Sequence, residues 1–230
     1  MKQDVIQELS QPAPKTSCHL AITRLALNAV RVLTIMARVR IIDPPERIAG
    51  PRVVLRRYRY PADGPSVGAA IAASHDHLRA WMPWAEASPT DESVRAFLEP
   101  AARDFGGESA ANYAITLADS GDYVGGCGLH PRVGEGALEI GYWIEARHQG
   151  QGLITEAIRL LTRAALELRG VERVEIHCDE ANARSAAVPA RLGYHLDRVE
   201  PHAITARLES GRFMIWVLRA GEWAQQESNL

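Results

Sequence analysis

The sequence predicts an α+β, or mixed α/β, layered domain in which helices interrupt and flank a largely antiparallel sheet. Three observations point there. Short strand-like runs separated by glycine turns fill the middle of the chain, in "NYAITLADSGDYVGGCGLHPRVGEGALEIGYWIE". A strongly periodic helical segment follows them, and strand, helix and strand then alternate to the end. A chain of 230 residues suits one substantial domain and is short for two.

The elements are read in order. "HLAITRLALNAVRVLTIMARVRII" is apolar but broken by Arg24, Arg31, Arg38 and Arg40, so no uncharged run reaches the roughly 18 residues of a membrane span. It also lacks the basic, apolar, small-residue order of a signal peptide. Residues 1–45 are set apart as an extension: an amphipathic helix lying on a membrane or a partner, or a stretch upstream of a start at Met36. "RVVLRRYRY" (Arg52–Tyr60) reads as an edge-like strand, and "PSVGAAIAASHDHLRAWMPWA" as a small-residue helix turning into Trp81, Pro83 and Trp84. "TDESVRAFLEPAARDF" starts a helix at Thr90 without the glutamate of a full capping box. The meander comes next, turning at Ser120-Gly121-Asp122 and Gly134-Glu135-Gly136. A helix from about Gly150 to Arg169 aligns Ile154, Ile158, Leu161, Ala165 and Leu168 on one face. "VERVEIHC" is a strand, "NARSAAVPARLGYHLDRV" a short helix and a strand, and "GRFMIWVLRA" closes the sheet. The domain is placed at residues 46–222, with a tail at 223–230.

Composition excludes several classes. With 47% hydrophobic and 23% charged residues and a net charge of −2, the chain has the profile of a soluble globular protein. There is no basic excess to hold nucleic acid. Cys18, Cys127 and Cys178 are an odd, widely spaced set, which argues against a disulfide framework or a structural zinc site and fits a cytoplasmic location. His75-Asp76-His77 lacks further ligands, so no metal is expected.

"RHQGQGLITEA" (Arg147–Ala157) carries the chemistry. A strand ends near Glu145 and a helix begins near Gly150. About four backbone N–H groups at a helix start have no internal partner, and the macrodipole adds roughly half a positive charge. Glycines let a bulky anion approach, so the stretch can seat a phosphate or pyrophosphate. No Lys-Ser/Thr follows the glycines, which excludes a P-loop, and Thr155 stands where GxGxxG needs glycine.

RxxGxG followed by "LITEA" resembles the acetyl-CoA signature of the GCN5-related N-acetyltransferase (GNAT) superfamily, Q/R-x-x-G-x-G/A between its fourth strand and third helix. "LEIGYWI" (Leu138–Ile144) is similar to that fourth strand. "NARSAAVPARLGYHLD" resembles a segment of the branch containing the ribosomal-protein alanine and serine N-terminal acetyltransferases, and "LRAWMPWA" its tryptophan-rich stretch. The resemblance covers residues 50–220 and implies a central, mostly antiparallel sheet of about six to seven strands flanked by helices.

It also implies roles. Acetyl-CoA is the co-substrate. Backbone N–H groups of Gln149, Gly150, Gln151, Gly152 and Leu153 face its pyrophosphate, with Arg147 adding charge or fixing the loop. Tyr142, Trp143 and Ile144 pair with the pantetheine arm as an added strand, which requires two strands to splay. Asn182 caps the next helix or contacts the cofactor; Ser185, one turn on, protonates the leaving thiolate or merely fills the turn. Pro189 inside that helix puts the pose of Ser185 in question. Glu139 is the first candidate base, acting through water, and His130 the second. Trp81 and Trp84 line the acceptor pocket or plug the core beneath it. Cys127 reads as packing rather than as a nucleophile. The implied activity is acetyl transfer to a primary amine in a ternary complex, the acceptor being a protein N-terminus. The alternatives are a small amine, polyamine or antibiotic as acceptor, or a silent acetyl-CoA-binding module. The assembly is read as a monomer or homodimer.

Overall fold

The computed structural model describes residues 40–228. The expectations for residues 1–39, an amphipathic helix and an alternative start at Met36, lie outside the described residues. Eight strands form one sheet: β1 (Arg47–Ala49), β2 (Val53–Arg57), β3 (Ala111–Leu117), β4 (Tyr123–His130), β5 (Ala137–Ile144), β6 (Arg173–Asp179), β7 (His195–Pro201) and β8 (Arg212–Arg219). Their order is β1-β2-β3-β4-β5-β6-β8-β7, and only the β5–β6 pair is parallel.

The helices are α1 (Gly64–Ala73), α2 (His75–Leu78), α3 (Asp91–Arg103), α4 (Leu153–Leu166), α5 (Ala183–Arg191) and α6 (Ala220–Ser228). Joining parallel strands requires a crossover, and α4 supplies it. Its expected apolar face is the one buried: Ile158, Leu161 and Ala165 are fully enclosed, with Ile154 and Leu168 packed at the margin. They meet Leu138 and Ile140 of β5 and Val174 and Ile176 of β6 in the main core. Each large aliphatic chain so buried contributes about 1.5–3 kcal/mol. A second, smaller core on the opposite face packs Val67 and Ala70 of α1 and Val94 and Leu98 of α3 over Tyr58 and Tyr123.

Several expectations change. Strand β1 is the eighth strand, only three residues long and too short to show a period; it covers β2, which therefore pairs on both sides rather than lying at the edge. β8 does not close the sheet but lies between β6 and β7, which its buried Ile215, Val217 and Leu218 favour over the largely exposed β7. The capping box at α3 is complete: Ser93 N–H donates to Thr90 Oγ1 at 3.1 Å, and Thr90 N–H donates to Ser93 Oγ at 2.9 Å. A serine hydroxyl does there what a glutamate does in the usual pattern. The segment set aside as a tail continues α6, and Trp223 is buried in the main core. At the other end Ile41 bridges to Gly107 and is buried, so the ordered chain reaches back past residue 46.

Candidate active site

The parallel ladder between β5 and β6 lasts three residue pairs: Ala137 with Arg173, Leu138 with Val174, and Glu139 with Glu175. Beyond it Ile140–Ile144 stays with β4, while Ile176–Asp179 stays with β8. The strands part, as the pantetheine expectation required. Glu145 N–H donates to Val124 O at 2.8 Å. Strand alternation then turns the N–H groups of Tyr142 and Ile144 away from β4, toward the opening.

Two cavities meet at this opening. One, about 1130 Å³, is lined by Ile144, Gln149, Gly150 and Gly152 and by four arginines, Arg52, Arg159, Arg184 and Arg191, against a single carboxylate, Glu156. The other, about 890 Å³, carries Glu139, Asp179, Glu200 and Glu209 against Arg132. Trp81, Met82, Tyr142, Trp143, Asn182 and Ser185 line both. The first cavity is therefore cationic and the second anionic, with the Tyr142–Ser185 region between them.

In the cationic cavity the first helical bond of α4 runs from Glu156 N–H to Gly152 O, which leaves the preceding N–H groups without helical partners. Gly150 and Gly152 hold φ of 72° and 76°, a left-handed conformation that costs a side chain about 1–2 kcal/mol. The cationic lining, the free N–H groups and the open β5 edge fit a polyanionic cofactor with an extended arm. Arg147 is 69% exposed and pairs with Glu145 at 2.9 Å. The residue that ties down the loop is Arg52: its Nη1 donates to Gln151 O at 2.9 Å and its Nε to Glu156 Oε2 at 2.7 Å. Nothing local in the sequence signals a partner roughly a hundred residues away. The side chain of Gln151 donates to Arg147 O, and that of Leu153 sinks into the core.

The anionic cavity is floored by glycines. A Cβ at Gly126 would lie 2.6 Å from the Tyr58 hydroxyl, and one at Gly128 would lie 2.6 Å from Asn112 Oδ1. Tyr58, Phe97, Trp84 and Trp143 form apolar walls. Trp84 is 52% exposed and its ring centroid is 6.1 Å from that of Trp143, so it lines the mouth rather than plugging the core. Glu139 is buried and meets Arg132 bidentately, at 2.7 Å from Nε and 2.6 Å from Nη2. Burial pushes its pKa up, but the Arg132 hydrogen bonds and charge outweigh this and leave it below the ordinary value. Burial, helped by Arg132, pushes His130 down to about 4. Glu175 and His177 escaped the sequence reading, where they were merely charges interleaved with Val174 and Ile176. His177 Nε2 lies 2.8 Å from Glu175 Oε2, and Arg173 Nε donates to the other oxygen at 2.8 Å.

Between the cavities, Asn182 caps α5, its Oδ1 accepting from Ser185 N–H at 3.1 Å. The Tyr142 hydroxyl donates to Ser185 O at 3.0 Å and lies 3.1 Å from Ser185 Oγ. Pro189 leaves α5 intact and settles the pose of Ser185: the missing N–H is the one that would have bonded to Ser185 O, so that carbonyl is available to Tyr142. Burial raises the Tyr142 hydroxyl far above an ordinary phenol and Cys178, beside Ser185, to about 11. Cys127 is buried, its thiol pushed far up, and it packs in the main core.

A family model described as "Acetyltransferase (GNAT) domain" matches residues 52–195. The chain belongs to the GNAT acetyltransferase family. This GNAT protein is 32% identical over 140 residues to "Putative ribosomal N-acetyltransferase YdaF" of Bacillus subtilis (strain 168), spanning 58% of the chain and 73% of the relative. Among solved structures, "RimL- Ribosomal L7/L12 alpha-N-protein acetyltransferase" in complex with coenzyme A superposes at a TM-score of 0.66, with 18% identity over 77% of this chain and 99% of that one. The microcin C7 self-immunity acetyltransferase MccE, in complex with acetyl-CoA and AMP, gives 0.66 and 20% identity over 74% and 93% of the two chains. These two share the GNAT fold with the chain. As a family member, the GNAT protein is an acyltransferase.

Proposed function

We propose that the protein transfers an acetyl group from acetyl-CoA to a primary amine, the acceptor being a protein N-terminal amine. The observation that carries this is the pair of oppositely charged cavities meeting through the parted strands at Tyr142 and Ser185. A polyanionic cofactor matches the arginine-lined side, and a cationic amine matches the carboxylate-lined side. The names of relatives such as the Escherichia coli (strain K12) ribosomal-protein-serine acetyltransferase support the acceptor class.

When bound, acetyl-CoA supplies the thioester that the amine attacks. The Gln149 N–H is taken by Ala146 O at 3.3 Å, so the N–H groups of Gly150–Leu153 seat the pyrophosphate, with the surrounding arginines adding charge, and the open edge at Tyr142 and Ile144 holds the extended arm. Ser185, positioned by Asn182 and Tyr142, protonates the departing sulfur. Asp179 and Glu209, held by N–H and hydroxyl groups, give the acceptor side its negative potential, while Glu139 is paired with Arg132, and the aromatic walls exclude water. Holding amine and thioester together is the main source of rate. Calorimetric titration with acetyl-CoA, using NADH and ATP as controls, followed by a screen of peptide, polyamine and aminoglycoside amines, tests the reading. Micromolar binding of acetyl-CoA alone, with peptide N-termini preferred, is expected; no binding, or transfer only to small amines, counts against it.

A further inference from the structure

We propose that His177, held by Glu175, is the base that takes the acceptor's proton. The inference rests on the acetyl-transfer reading and deepens it. Three groups on the polar wall of the anionic cavity are shaped to accept a proton. Glu139 has both oxygens engaged by Arg132, at 2.6 and 2.7 Å. His130 is half-buried beside the same guanidinium, which opposes a second positive charge. His177 lines the cavity with its Nε2 2.8 Å from the buried Glu175 carboxylate.

That contact fixes the tautomer. Glu175 is held below the ordinary carboxylate range by His177 and Arg173 despite its burial, so it accepts, and Nε2 must carry the hydrogen. The neutral ring then has its lone pair on Nδ1, and the hydrogen bond to Glu175 fixes the ring's orientation. The ionisable groups that line the cavity with His177 are His130, Arg132, Glu139, Asp179, Glu200, His202 and Glu209, and on its own strand Glu175 is paired with Arg173. Asp179 is occupied by the N–H groups of Ala181 and Ser210 and by the Ser210 hydroxyl, and Glu200 by Arg198.

The step balances. Nδ1 removes one proton from the acceptor's ammonium, directly or through a water, and the freed nitrogen lone pair forms the bond to the acetyl carbon. The carbon–sulfur bond breaks with its electron pair on sulfur, which takes a proton from Ser185; Ser185 regains one from the nitrogen, which sheds its second proton as it becomes the amide, and His177 releases its own to solvent.

The test follows kcat/KM against pH by thiol release, using the full chain, acetyl-CoA and whichever amine the wild type acetylates best. His177→Gln is expected to lower kcat/KM about a hundredfold near neutral pH, a general-base loss. The deficit should shrink as the amine deprotonates unaided, with acetyl-CoA affinity unchanged by calorimetry. Glu175→Gln, which removes the carboxylate that accepts from Nε2, should lower kcat/KM by a smaller factor. Activity within threefold of wild type in His177→Gln, or an acidic limb abolished by Glu139→Gln but retained in His177→Gln, overturns the proposal. If the wild type acetylates only small amines, the N-terminal reading fails while His177 is tested on that amine. If it acetylates none, both fall.

Discussion

The Tyr142 hydroxyl donates to the Ser185 carbonyl at 3.0 Å because Pro189, four residues along α5, has no N–H to offer it. A proline that looks like a defect in the helix is therefore what joins β5 to α5 across the opening. Tyr142→Phe is expected to cost about 1 kcal/mol of stability, the usual worth of an intramolecular hydrogen bond. Ser185→Ala should leave that bond in place and instead lower kcat about tenfold or more, as loss of a general acid does. Urea melts and steady-state kinetics on both variants separate the two effects.

Gly152 sits at φ 76° with Arg52 Nη2 3.3 Å from where a Cβ would stand. Gly152→Val forces a β-branched residue into a left-handed conformation and pushes against the arginine that ties down the loop. Acetyl-CoA affinity is expected to fall about tenfold or more, since about 1–2 kcal/mol of strain acts on the seat itself. Calorimetry reads this directly; unchanged affinity would show that the loop does not hold the cofactor.

At Gly126 the obstacle is the Tyr58 hydroxyl, 2.6 Å from the missing Cβ and buried against Tyr123. Gly126→Ala should destabilise the fold by about 1–3 kcal/mol, in the range of overpacked cores, and raise the acceptor KM by narrowing the floor. A thermal melt together with an acceptor titration checks both parts.

Trp84 is half exposed at the mouth of the anionic cavity. Trp84→Ala should therefore change stability by less than about 0.5 kcal/mol, as surface changes do, and raise the acceptor KM without altering acetyl-CoA binding. An unchanged KM would remove Trp84 from the acceptor site.

His130 is held down to about 4 in the fold, against 6.5 for a free imidazole, mainly by burial. Between those values the unfolded chain binds a proton that the folded chain refuses, so stability rises with pH across the window and is lost as pH falls through it. At about 1.4 kcal/mol per unit the ceiling is roughly 3 kcal/mol. His130→Gln is expected to flatten that part of the urea-derived stability profile between pH 6.5 and 4. A slope identical to wild type would show that His130 titrates freely.

The sequence was most legible where periodicity and local spacing decide structure. Helix α4 buries the residues its 3.6-residue period selected, and the glycine loop precedes it as expected. β1 was missed because three residues carry no period, and the place of β8 because strand order is a long-range matter. In the site, Asn182, Ser185, Tyr142 and Trp143 all line both cavities. Arg52 could not be foreseen, since its partners lie across the fold. The Glu175–His177 pair reads in sequence as two polar residues on a strand, and only the parting of β5 from β6 turns that face into a cavity wall.

That parting also has a mechanical meaning. Two leaves, β1–β5 and β6–β8, are stitched along a seam of three residue pairs, with α4 as the spine behind them. A guest that bonds along the open margin of β5 lengthens the stitching, so occupancy stiffens the whole book and not just the page it touches.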